Sequence, residues 1–197
     1  MRIALIGLPG SGKTTLAHTL SGIFNCMNIS SGALARAHGF AGSNAEKLGQ
    51  LDPDEDKIRK LVKEAVGTSD HYILDGFPRT IDQIKDVDIP IDYVLYLRLD
   101  NEYIAIKRLL DRGRPDDLPE IIQKRIDIYY DNTHPLVYHF EKEKKLLNID
   151  ANNSMSYTLA QSITKMANKG VLDAHIYISK LLKTYNGKRQ CWEIHKD

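Results

Sequence analysis

Residues 3–14 read Ile-Ala-Leu-Ile-Gly-Leu-Pro-Gly-Ser-Gly-Lys-Thr, an apolar run that enters a glycine-rich turn and leaves it with helical spacing at Leu16, Ala17 and Leu20. The pattern predicts a buried strand, a tight loop and a helix, and it fits the Gly-x4-Gly-Lys-[Ser/Thr] P-loop at 7–14. Glycines at 7, 10 and 12 let successive backbone N–H groups curl toward one point, and the helix starting near Gly12 adds its positive dipole end. Such a cradle suits a polyphosphate, with Lys13 reaching its outer phosphates and Thr14 offering a hydroxyl to Mg²⁺. The fixed positions of the motif arise by chance in roughly one chain of this length per hundred, and the strand and helix around them make an accident rarer. By itself the motif is shared by kinases, GTPases, motors and nucleotide sensors.

The rest of the chain repeats the alternation. Strands are expected at Ile3–Ile6, His71–Leu74, Tyr93–Leu97 and Leu146–Ile149, with a weaker one near Cys26–Ile29; helices are expected at Gly12–Leu20, Pro53–Val66, Glu102–Leu110, Pro119–Tyr130 and Ser156–Met166. Because the strands are continuous apolar runs, they require burial on both faces, which predicts an α/β fold with a parallel five-stranded sheet flanked by helices. At 197 residues and 42% hydrophobic content there is material for one real core and no room for two full domains. Residues 170–197 stand apart as a C-terminal extension, with a short helix expected near Asp173–Thr184.

Lys plus Arg number 27 against 26 Asp plus Glu, so a protein living on nucleic acid or anionic lipid is not expected and any anion site must be local. Cys26 and Cys191 are too few for a disulfide framework and form no zinc-spaced cluster, and the opening apolar run is too short for a signal peptide or membrane span. These features predict a cytoplasmic protein with no membrane partner.

Local cations do stand out. Asp75 and Arg79 follow a predicted strand in Asp-Gly-Phe-Pro-Arg-Thr at 75–80, and so open on the same edge of the sheet as the P-loop. Asp75 is suited to hold Mg²⁺ directly or through water, and Arg79 to grip a phosphate; a polar turn that merely caps the strand is the equal alternative. Arg108, Arg112, Arg114 and Arg125 surround Asp-Arg-Gly-Arg-Pro-Asp-Asp at 111–117, where Gly113 and Pro115 interrupt any helix and predict a mobile loop. Planar guanidinium groups outnumber lysines there, the choice expected where phosphates are clamped in defined geometry, and Asp116 and Asp117 are placed to orient them. Lys13, Arg36, Arg79, Arg112, Arg114 and Arg125 together exceed what one polyphosphate needs.

The P-loop, Ser-Ser-Gly-Ala-Leu-Ala-Arg at 30–36, Asp-Gly-Phe-Pro-Arg-Thr-Ile-Asp-Gln at 75–83, Arg-Pro-Asp-Asp at 114–117 and Lys-Arg-Ile-Asp-Ile-Tyr-Tyr at 124–130 occur in an order that resembles the adenylate kinases, over about residues 1–168. The resemblance implies a short-lid member of the nucleoside monophosphate kinases that transfers a phosphoryl group from MgATP to AMP, as a monomer. It implies a domain at 1–169 with a small acceptor lobe near 30–66 and a lid near 111–118. ATP would meet Gly10, Ser11, Gly12, Lys13, Thr14 and Thr15, with Arg108 and Arg112 over it. AMP would meet Ser31, Arg36, Gly76, Phe77, Pro78 and Arg79, with Gln83 at the adenine edge and Gln50, Leu51 and Asp52 lining the base. Arg114 and Arg125 would lie between the two nucleotides. Lys13, Arg79, Arg112, Arg114 and Arg125 would carry catalysis, with Thr14 and Asp75 at the metal.

Three departures fall in the acceptor lobe. Arg36 and Arg79 are only 43 positions apart, shorter than the family's usual interval; Ala33 stands where Asp is common; and Asp52 stands where an apolar residue is usual. They leave a kinase for CMP or UMP, and a nucleotide-binding module without turnover, as the alternative expectations.

Overall fold

The computed structural model describes residues 1–39, 55–86 and 88–171. Five parallel strands form one sheet in the order β2-β3-β1-β4-β5, where β1 is Arg2–Gly7, β2 Met27–Ser30, β3 Tyr72–Asp75, β4 Tyr93–Arg98 and β5 Leu146–Asp150. The expected sheet is therefore present, weak strand included. Ile3, Ala4, Leu5 and Ile6 of the central β1 are all at most 1% exposed, the burial on both faces that their uninterrupted apolar run demanded.

Helices cover both faces: α1 is Lys13–Phe24, α2 Ser31–Ala37, α3 Glu55–Val66, α4 Ile81–Asp86, α5 Glu102–Arg112, α6 Pro119–Ile128, α7 Pro135–Lys142 and α8 Met155–Asn168. Alternate β1 side chains feed two cores. Ile3 and Leu5 pack with Leu16 and Leu20 of α1 and Met166 of α8, while Ala4 and Ile6 pack with Leu109 of α5, Ile122 and Ile126 of α6 and Phe140 of α7.

Three helices, α2, α4 and α7, were not expected, and one was expected too long. α2 has no leader loop: Ser30 ends β2 and also caps the helix, its side chain accepting from the N–H of Ala33 at 3.4 Å. α4 is six residues long and carries little periodicity. Pro135, which reads as a breaker, sits at the start of α7, where its missing N–H costs nothing. The helix expected to run to Tyr130 instead ends at Ile128 and passes into a wider π turn, Tyr129–Thr133. The expected residues 40–54 and the extension from 172 onward lie outside the described residues.

Register positions the functional edge. Asp75, the last residue of β3, pairs with Leu5 of β1 and with Ser30 of β2, so the turns that follow these strands emerge side by side. Open parallel sheets bind ligands at this carboxyl edge.

Candidate functional site

The loop between β1 and α1 is held in shape from inside. Gly10 has φ 85°, and a Cβ there would lie 2.5 Å from the carbonyl oxygen of Ala105 in α5, so only glycine fits. Gly12, at φ 95°, caps α1 in the left-handed region, and the N–H of Ser11 closes the turn on the carbonyl of Leu8 at 3.0 Å. Lys13 curls back over this loop, its Nζ donating to the carbonyls of Gly7 (2.6 Å) and Leu8 (2.8 Å) and to Ser11 Oγ (3.4 Å). Burial pushes its ammonium down to about 8; the charge of Asp75 acts upward, and those of Arg79, Arg125 and Arg112 act downward. Cations from the β3 turn, α5 and α6 thus all bear on the same lysine.

Asp75 is 4% exposed, and its Oδ2 accepts from Thr14 Oγ1 at 2.7 Å and from Ser30 Oγ at 3.1 Å. The neighbouring turn is braced by Ser31, whose Oγ donates to the carbonyl of Gly76 at 2.7 Å. Arg79 folds onto it, Nε donating to the carbonyl of Gly76 (2.9 Å) and Nη2 to Ser31 Oγ (3.4 Å). Its backbone is held on both sides of the Cα. The N–H donates to Gln83 Oε1 at 2.6 Å, and the carbonyl accepts from Thr133 Oγ1 at 3.0 Å. Phe77 and Pro78 are buried, Phe77 in the core, so any acceptor contact from Phe77 comes from its backbone.

The loop between α5 and α6 is organised by one carboxylate. Asp117, its side chain 1% exposed, takes a bidentate pair from Arg112 (Nε 2.8 Å, Nη2 2.6 Å), a bond from Arg125 Nη1 at 3.2 Å, and the backbone N–H of Arg114 at 3.2 Å. Burial pushes the Asp117 carboxyl up, but the Arg112 side chain, the Arg114 N–H and the charges of Arg112 and Arg125 outweigh it and hold the acid below its ordinary range. Asp116 meets Arg125 more loosely, at 3.5 Å.

The sequence-predicted set therefore divides. Thr14, Ser31, Asp75, Arg79 and Gln83 are linked across the first two loops, Lys13 bonds within its own loop, and Arg112 and Arg125 converge on Asp117. The carbonyl end of Gln83 is engaged by the Arg79 peptide. Arg108 points to the β5–α8 connection, Nη1 donating to the carbonyl of Ala151 at 3.0 Å and Nη2 to that of Asn153 at 3.4 Å. Arg36 is exposed on α2, and the guanidinium groups of Arg36 and Arg114 make no hydrogen bond or ion pair to a described residue. Gln50, Leu51 and Asp52 lie outside the described residues. Sequence reasoning missed two groups, Ser30 and Thr133. Ser30 was discoverable as a small polar residue ending a strand; nothing local marked Thr133.

A parallel sheet whose P-loop lysine lies under the field of arginines from distant elements defines a nucleotide-handling enzyme of the P-loop class. The adenylate kinase family model matches residues 5–145. Adenylate kinase 2 of a Nostoc species is 34% identical over 183 residues, spanning 84% of this chain and 98% of its own length. The adenylate kinase of Corynebacterium urealyticum is 36% identical over 172 residues (79% and 93%), and that of Rhodococcus erythropolis 34% over 183 (84% and 99%). The chain belongs to the adenylate kinase family and is a phosphotransferase. No helix among the described residues is long and apolar enough to cross a membrane.

Proposed function

We propose that the chain runs the reversible reaction MgATP plus AMP to two ADP, with the P-loop as donor seat and the Arg79 turn as acceptor seat. The observation that supports this division is geometric: Thr14 of the P-loop bonds to Asp75, Ser31 bonds to the backbone of Asp75 and to Arg79, and Arg112 and Arg125 gather separately on Asp117. One polyphosphate would not require them. An oxygen of the acceptor phosphate attacks the γ-phosphorus as the bond to the leaving ADP breaks; no side chain need become covalently attached. Lys13 and the loop amides hold the donor phosphates, Arg79 fixes the acceptor phosphate, and Arg112, Arg114 and Arg125 meet the charge spread over the group in transit.

The donor set fits Mg²⁺. Thr14 Oγ1 and Asp75 Oδ2 are hard oxygen atoms 2.7 Å apart, and this ion commonly takes only one or two protein ligands beside water and phosphate. Bound there, it would supply charge neutralisation on the polyphosphate. Residues 111–118 serve as the lid, closing arginines over both nucleotides and excluding water as a competing acceptor, and about 30–66 as the acceptor lobe. We place the enzyme in the cytoplasm as a monomer, in line with its two cysteines and balanced charge.

A coupled ADP-production assay with a panel of monophosphates tests the reading. Turnover with AMP is expected; preference for CMP or UMP, or ATP binding without turnover with any acceptor, overturns it. Arg79→Ala is expected to lower turnover by ~10³ with little change in ATP affinity.

A further inference from the structure

The π turn that ends α6 has no part in the scheme above, yet it donates a hydrogen bond to the carbonyl of Arg79. The N–H of His134 bonds to the carbonyl of Tyr129 at 2.8 Å, an i to i+5 bond where a regular α-helix would use Tyr130. π turns recur at functional sites because widening the helix re-aims the residues that follow. Here the turn is anchored by Tyr129, 4% exposed, whose hydroxyl lies 3.5 Å from that of Tyr96 in β4. Thr133 completes it and donates to the carbonyl of Arg79 at 3.0 Å across 54 residues of sequence.

Arg125, Tyr129 and Thr133 follow at intervals of four along one helical rod. At one end Arg125 meets Asp116 and Asp117, and at the other Thr133 meets Arg79. We propose that Thr133 is a positioning residue for phosphoryl transfer: through the Arg79 carbonyl it fixes the spacing between Arg79 and Arg125. Gln83 of α4 accepts from the N–H of Arg79, so the two side chains fasten the arginine's backbone on either side of its Cα to different helical segments. Precise spacing matters because small misplacement of a charge-stabilising group costs rate more than binding. The inference rests on Arg79 being the acceptor arginine.

The test compares Thr133→Val, nearly equal in volume, with Thr133→Ser, which keeps the hydroxyl, alone and in an Arg79→Ala background. With MgATP and AMP, Thr133→Val is expected to lower kcat about tenfold while the KM for ATP moves less than about twofold, and Thr133→Ser to stay within about twofold of the parent. In the Arg79→Ala background the valine is expected to cost nothing further, because there is no side chain left to position. Equal kcat for Thr133→Val and parent, or the same tenfold loss with and without Arg79, overturns the proposal and leaves the acceptor assignment standing. Near-normal turnover of Arg79→Ala overturns both. Thr133→Ala supplies the same comparison should the valine variant fail to fold.

Discussion

Replacing Asp117 by Asn keeps the volume of the central side chain of the α5–α6 loop and removes its charge. In the parent, that carboxylate is almost wholly enclosed and answers three partners, Arg112, Arg125 and the Arg114 N–H. The amide cannot accept from a guanidinium with both atoms, so its NH₂ end must face a cation. Removing one member of a buried ion pair costs about 3–5 kcal/mol. Arg112 and Arg125 are 30% and 23% exposed, so water relieves part of the loss, and about 2–3 kcal/mol is the discounted figure. For a domain of this size that lowers the melting temperature by about 5–10 °C. The loss should shrink when nucleotide phosphates supply the missing negative charge. Thermal melts of parent and Asp117→Asn, each with and without saturating MgATP, measure both quantities. A variant that melts within about 1 °C of the parent without nucleotide would refute the view that one carboxylate organises the arginines of the α5–α6 loop.

Lys13 and Gly10 give two further expectations. The Lys13 ammonium, near 8 when buried beside three arginines, should rise toward its ordinary 10.5 against a polyphosphate. ATP binding at about pH 9 should then take up close to one proton, and affinity should fall as pH rises above that of the free lysine; calorimetry in buffers of different ionisation enthalpy reads the uptake, and none at all would contradict the lowered value. Gly10→Ala combines a left-handed φ with a Cβ 2.5 Å from a backbone carbonyl. It should cost about 2–5 kcal/mol, seen as a melting temperature lowered by about 5–15 °C, and a stable variant would show that α5 yields more easily than its packing implies.

Much of this molecule is local chemistry written along the chain. The run Ile3–Ile6 had to be buried on both faces, Gly10 had to turn where no other residue can, and the lysine at 13 had to follow the loop. The short Met27–Ser30 gave only a weak strand signal, because Met-Asn-Ile-Ser is not a continuous apolar run and buries Ile29 alone. The short helices α2, α4 and α7 were not legible, since six to eight residues give too few turns for a periodic signal. Other facts belong to no single stretch of sequence. Register alone set Asp75 beside Ser30 and under Thr14. Asp117 stood in the sequence as one of two acids able to orient arginines; folding buried it and made it the hub, leaving Asp116 at the edge. The bond from Thr133 to Arg79 comes from a helical turn with an extra residue, whose first residue, Tyr129, is buried in the core. A motif specifies what a backbone segment can do alone, whereas the spacing between charges brought from separate strands and helices is a property of the sheet that gathers them.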